Sequence, residues 1–342
     1  MFIDMISKRY QKTKFVIITK KKIKNKNFEE NIKIIYQGKI LTIIDKIIKL
    51  VSLKNNNLEN ILMKKCDATV LIGGSMFIEK DMNDTKKRYF IGGGKEYFIL
   101  GVNFGPYKSV EYKEKFLKVF KNASDVCFRE KESYKLFNEL SNSRVKPDII
   151  FGYDMSKYIK SSGKHAVFSI IDCELRPGLR YKKSYEKLIL DLIEKFSSID
   201  YKITLMSFCK NEGDEKAIES IIKKINNIEN KKIDKYFYNG NIDEALKIIG
   251  ESQIIVGSRF HANILGLVMN KSIIPVAYSD KTINTLKDIN YKGKIIDIRK
   301  TSDSNISDII EENMNYKLNV NKYVKTAQEQ FEKLDIFLNQ KI

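Results

Sequence analysis

From end to end, short β-branched runs alternate with longer amphipathic stretches, an order that reads as repeated β–α units with parallel sheets covered by helices on both faces. Phe15–Thr19, Lys33–Tyr36, Ala68–Ile72, Tyr97–Val102 and Val126–Arg129 read as the strands of one doubly wound domain, several of them ending in glycine or turn residues. Turn formers then gather in residues 146–164, where Pro147, Gly152, Ser161, Ser162 and Gly163 mark a candidate linker. A second Rossmann-like domain follows, with strands at Ala166–Ile171, Ile203–Ser207, Tyr236–Tyr238, Ile254–Gly257 and Ile273–Ala277 and an amphipathic stretch at Asp214–Ile225. From Val320 to Leu338 the apolar residues return to helical spacing with no strand after them, which predicts one terminal helix. The expected boundaries are 1–153, 164–318 and 319–342. A chain of 342 residues exceeds what one compact α/β domain needs, in keeping with two.

The charge balance, 62 basic against 43 acidic residues, suits an anionic partner of some kind. Most of the excess is Lys scattered among Ile and Asn without a nucleic-acid-binding motif, so a solvated Lys-rich surface is expected and nucleic acid is not. Cys66, Cys127, Cys173 and Cys209 lie far apart with no paired spacing, which speaks for reduced thiols over a zinc site or disulfide framework. No apolar run approaches the roughly 18 residues of a membrane span, and the opening residues 1–10 mix acids and bases where a signal peptide carries an apolar core. A cytoplasmic protein is expected, with its basic surface drawn to the inner face of the membrane.

The most informative segment runs from Gln253 to Lys281. A strand ends at Gly257, a turn presents Ser258, Arg259 and His261, and a helix starts. In open α/β sheets, ligands bind beyond the carboxyl ends of strands, where helix N-termini offer free N–H donors to anions. Arg259 and His261 therefore stand where a phosphate or carboxylate would bind. A guanidinium binds such groups by a fork and stays charged, and an imidazole can give or take a proton near neutrality. His165, the other histidine, is isolated, and the scattered Asp and Glu suggest no metal site.

Ser258-Arg-Phe-His-Ala262, an apolar helix, and Ile274-Pro-Val-Ala-Tyr278-Ser-Asp-Lys281 together resemble the signature segment of polysaccharide pyruvyl transferases. Other segments fall in that family's order: Cys66-Asp-Ala-Thr-Val-Leu-Ile-Gly-Gly-Ser-Met-Phe77, Gly101-Val-Asn-Phe-Gly-Pro106, Ser124-Asp-Val-Cys-Phe-Arg-Glu-Lys-Glu-Ser133 and Lys146-Pro-Asp148. Singly these carry little. Gly73-Gly74 would serve any tight turn, Gly92-Gly93-Gly94 any loop, and Arg129 with Ser133 a cap and a salt bridge.

The resemblance implies two Rossmann-like domains facing a cleft, as in glycosyltransferases of the B type, with the acceptor on the N-terminal side and phosphoenolpyruvate on the C-terminal side. It implies transfer of the enolpyruvyl group to a sugar of a surface polysaccharide, capsule or lipid-linked precursor, with phosphate released and no cofactor. Arg259 and His261 would be catalytic. Ser258, Tyr278, Lys281, Gly73, Gly74, Ser75 and Arg129 would bind substrate. The family opens with a strand and an N-x-G-D turn before the helix that residues 1–10 resemble, so a first strand is expected to be missing and Met1 to lie inside a longer reading frame. A nucleotide-sugar glycosyltransferase and an inactive sugar-binding module are the alternatives.

Overall fold

A computed structural model of the chain describes residues 2–19, 29–36, 62–79, 95–160, 163–174, 181–225, 229, 231–300 and 305–341. The chain divides into one compact unit formed by residues 1–153 and 325–342 and a second formed by residues 154–324. Both are α/β with parallel strands.

The first unit contains α1 (Phe2–Arg9), β1 (Phe15–Thr19), β2 (Ile32–Tyr36), β3 (Ala68–Ile72), β4 (Glu96–Val102), α2 (Val110–Lys121), β5 (Asp125–Phe128), α3 (Lys131–Lys135) and β6 (Ser143–Val145). The order β3-β4-β5-β6 is sequential and every pairing is parallel, as crossovers of one hand produce. Helix α2 places Tyr112, Phe116 and Phe120 one turn apart, and this apolar stripe packs with Phe77, Phe104, Phe128 and Phe137 on one face of the sheet. On the other face Ile6 and Tyr10 meet Phe98, Leu100, Cys127 and Ile149. The five strands expected in one sheet are divided here: among the described residues β1 pairs with β2 alone, and the two sheets share a core through Phe15, Ala68 and Val70 in place of a hydrogen-bond ladder.

The second unit contains β7 (His165–Ser169), α4 (Lys182–Ser198), β8 (Lys202–Ser207), α5 (Asp214–Ile222), β9 (Ile233–Phe237), α6 (Ile242–Gly250), β10 (Ile254–Gly257), α7 (Phe260–Val268), β11 (Ser272–Ala277), α8 (Asp280–Asp288), β12 (Ile296–Asp297) and α9 (Ile306–Asn315). Its strands run β9-β8-β7-β10-β11-β12, all parallel. From β7 the chain winds outward one way through β8 and β9, then returns to β10 and winds the other way, so the strand order reverses between β7 and β10. Strand β9 starts at Ile233, earlier than the expected Tyr236, because Ile233 and Asp234 pair with Ile203 and Thr204.

The expected terminal helix is broken. It becomes α10 (Asn321–Ala327), a 3-10 turn at Gln328–Phe331 and α11 (Glu332–Asn339). The interruption has a visible cause, since the carbonyls of Glu329 and Gln330, which would extend a regular helix, accept hydrogen bonds from the Arg144 guanidinium. The chain re-enters the first unit here, placing Phe331, Leu334 and Leu338 in the core beside Ile6 and Leu100.

Candidate functional site

The turn from Ser258 to His261 lies at the carboxyl end of β10, beside the reversal of strand order, which is where open α/β sheets leave a crevice for ligands. Ser169, the last residue of β7, joins the two sides: its hydroxyl accepts from the Arg259 amide at 2.9 Å and its carbonyl accepts from the Ser258 amide at 3.3 Å. Ser258 is buried, with Oγ 2.9 Å from the Tyr185 hydroxyl, and that hydroxyl also accepts from the Ile171 amide at 3.1 Å. Burial pushes the Tyr185 phenol well above its ordinary pKa, so it is a neutral bridge in this network.

Arg259 caps α7, and its guanidinium runs toward the end of β8. Nε donates to Asp214 Oδ2 at 3.0 Å, Nη2 to Asp214 Oδ1, and Nη1 to Glu212. Asp214 opens α5 with no exposed surface, and its Oδ2 also accepts from the amides of Phe208 and Cys209 at 3.0 and 2.8 Å. Burial works against the Arg259 charge, but the two carboxylates outweigh it and raise its pKa. Burial likewise raises the Asp214 carboxyl, opposed by Arg259 and the two amides. Gly213, at φ +82°, permits the reversal that sets Glu212 and Asp214 on either side of one guanidinium.

His261 stands exposed in the first turn of α7, its ring centroid 5.2 Å from that of Phe260. Lys281, in the first turn of α8, puts Nζ 4.5 Å from the Phe260 ring centre, a cation–π contact. Tyr278 ends the segment after β11, half-buried against the core of the second unit. Ser258, Arg259, His261, Tyr278 and Lys281 thus gather at the carboxyl edge of one sheet, at the N-terminal end of α7, the end of a helix that favours anions.

The remaining expected residues lie in the first unit. Arg129 follows β5 with its side chain 1% exposed. Nη1 pairs with Asp148 at 2.8 Å and Nη2 donates to Asn103 Oδ1 at 2.6 Å, so the salt bridge is made with Asp148, while the cap of α3 is Glu130. Ser133 instead receives the Phe104 amide at 2.7 Å and bonds Glu130. Ser75 donates to Asn103 at 3.2 Å, and a Cβ added at Gly74 would lie 3.7 Å from Arg129 Nη2. Arg129 therefore supports the glycine loop from beneath. At Gly73 a Cβ would meet the Val102 side chain at 2.6 Å, so a larger residue would force Val102 to shift. Gly92-Gly93-Gly94, Ser161 and Ser162 lie outside the described residues.

Sequence reasoning missed Asp214, Glu212, Ser169 and Tyr185. The acidic pair around Gly213 carries a local signal, an acid at a helix start, but that signal reads as capping and says nothing of Arg259. Among the described residues no group of three or more His, Cys, Asp or Glu side chains is placed to hold a metal, and no helix is long and apolar enough to cross a membrane.

The family model for polysaccharide pyruvyl transferase matches residues 3–280. Among solved structures, the chain is similar to UDP-GlcNAc 2-epimerase from Methanocaldococcus jannaschii, at 14% identity over 91% of this chain and 86% of that one, with a TM-score of 0.52. The N-terminal domain of Candida albicans trehalose-6-phosphate phosphatase matches at 13% identity over 70% of this chain, with a TM-score of 0.41. Accessory secretory proteins 1, 2 and 3 of Streptococcus pneumoniae match at 10% identity over 88% of it, with a TM-score of 0.38. The chain spans 62% and 55% of the latter two. The likeness to the epimerase is one of fold.

Proposed function

The chain belongs to the polysaccharide pyruvyl transferase family, and on that premise we propose that it transfers the enolpyruvyl group of phosphoenolpyruvate to a sugar of a surface polysaccharide or its lipid-linked precursor. The observation that carries this reading is the Ser258–His261 turn at the reversal of strand order, with Arg259, Lys281 and the start of α7 at one sheet edge. A trianionic donor calls for cationic side chains and a helix start at its site, and Arg259, Lys281 and α7 are there to supply them.

In the proposed reaction a proton adds to the methylene carbon of phosphoenolpyruvate while one sugar hydroxyl bonds to C2. The bond from C2 to the phosphate oxygen breaks, and the second hydroxyl closes the ketal. Of the two hydroxyl protons released, one balances the proton taken by the methylene and the other leaves on phosphate. His261, exposed beside the turn, is positioned for proton transfer, and Arg259 and Lys281 for the carboxylate and the departing phosphate. We place this activity in the cytoplasm at the inner membrane face, where the net charge of +19 would favour an anionic lipid-linked acceptor.

Calorimetric titration of phosphoenolpyruvate into wild type, His261→Ala and Arg259→Lys tests the donor site without knowledge of the acceptor. Binding should weaken at least tenfold in Arg259→Lys, which keeps the charge and loses the fork, whereas His261→Ala should retain binding and lose phosphate release once an acceptor is supplied. Binding of a UDP-sugar with no binding of phosphoenolpyruvate would overturn the reading in favour of a glycosyltransferase.

A further inference from the structure

The Arg259 guanidinium is held by two carboxylates in unequal circumstances. Asp214 takes the Nε–Nη2 edge, has no exposed surface and is fixed by two backbone amides. Glu212 takes the Nη1 corner from a 3-10 turn, Lys210–Glu212, with its side chain 50% exposed. One positive charge thus faces two negative ones, and an anion arriving at Arg259 must displace one of them or be repelled. Asp214 cannot leave without stranding a buried charge and breaking the hydrogen bonds it accepts from the Phe208 and Cys209 amides. Glu212, half in water already, can swing away and be rehydrated at a smaller cost than Asp214, which has no exposed surface.

We propose that Glu212 is an intramolecular stand-in for the substrate anion, occupying the Nη1 corner of Arg259 until a phosphate or carboxylate displaces it, while Asp214 is the positioning residue that keeps the guanidinium aimed. The proposal rests on the reading that Arg259 meets the donor. Its consequence is selectivity by charge: a monoanion competes poorly with a tethered carboxylate, whereas a di- or trianion that also reaches Lys281 and the start of α7 prevails.

The test compares wild type, Glu212→Ala and Glu215→Ala by calorimetry with phosphoenolpyruvate and, separately, inorganic phosphate. Glu215 is three residues on and pairs with Lys210 at 3.3 Å, so its removal changes the net charge equally without touching Arg259. Glu212→Ala should tighten both anions by roughly two- to fivefold or more relative to Glu215→Ala, the lower bound being set by the worth of a solvent-exposed ion pair. Equal affinities in the two variants, weaker binding in Glu212→Ala, or no anion binding in any of the three would overturn the proposal. Phosphoenolpyruvate binding no better than phosphate would count against pyruvyl transfer and leave the Glu212 comparison decisive in its own right. Asp214→Asn, accepted only where circular dichroism shows a native fold, should weaken both anions more than tenfold.

Discussion

The two histidines sit in opposite surroundings. His261 is exposed at the site, while His165 opens β7 with Nε2 2.9 Å from Thr204 Oγ1. Burial pushes the His165 pKa below its ordinary value; the Glu251 carbonyl opposes this and Lys202 adds to it. The unfolded chain takes up this proton near pH 6.5 and the folded chain only at lower pH, so in that window the unfolded state binds more protons. Stability from neutral His165 is therefore full above about pH 6.5 and is lost as pH falls through and below it. Thermal melts at pH 7.5 and 5.5 should show a larger drop for wild type than for His165→Gln. Arg259 carries a second consequence at this scale. Arg259→Ala leaves Asp214 buried and unpaired, which should cost about 3–5 kcal/mol in urea denaturation, and adding Asp214→Ala should recover part of that loss. A binding defect in Arg259→Ala alone would mix these effects.

Elements were legible where local pattern decides them. The short apolar runs at Phe15–Thr19, Ala68–Ile72 and Ile254–Gly257 form strands with the bounds their residues suggested, because β-branched runs between turn formers have few other ways to be buried. Strand β6, Ser143–Val145, was not legible, because Ser-Arg-Val has no strand pattern and is drafted in by pairing with β5. Close approach of elements is equally silent in the sequence. Gly250, at the end of α6, lies under the Tyr158 carbonyl, and a Cβ there would come within 2.0 Å of that oxygen. Since backbone cannot yield as a side-chain tip can, Gly250→Ala should destabilise by about 2 kcal/mol or more despite its better helix propensity, measurable as a lower urea midpoint.

For the molecule as a whole, the return of residues 325–342 to the first unit is a feature the sequence hid. Phe331 is fully buried, and Gln330 accepts from the Gly101 amide at 3.0 Å while donating to the Lys146 and Pro147 carbonyls at 2.9 and 3.1 Å. Phe331→Ala should therefore cost about 3–5 kcal/mol, and hydrogen exchange should show the loss in the amides of β4 and β5. By itself the sequence determined the α/β class, most strands, the family and the turn from Ser258 to His261, because periodicity and glycine placement act over neighbouring residues. Tertiary structure alone decided that the strand order reverses beside that turn, that Arg129 lies beneath the glycine loop, and that Glu212 and Asp214 share Arg259. Those partners come from different β–α units, and residues far apart along the chain leave no spacing to read; only the parallel stacking of β8, β7 and β10 brings their carboxyl ends together.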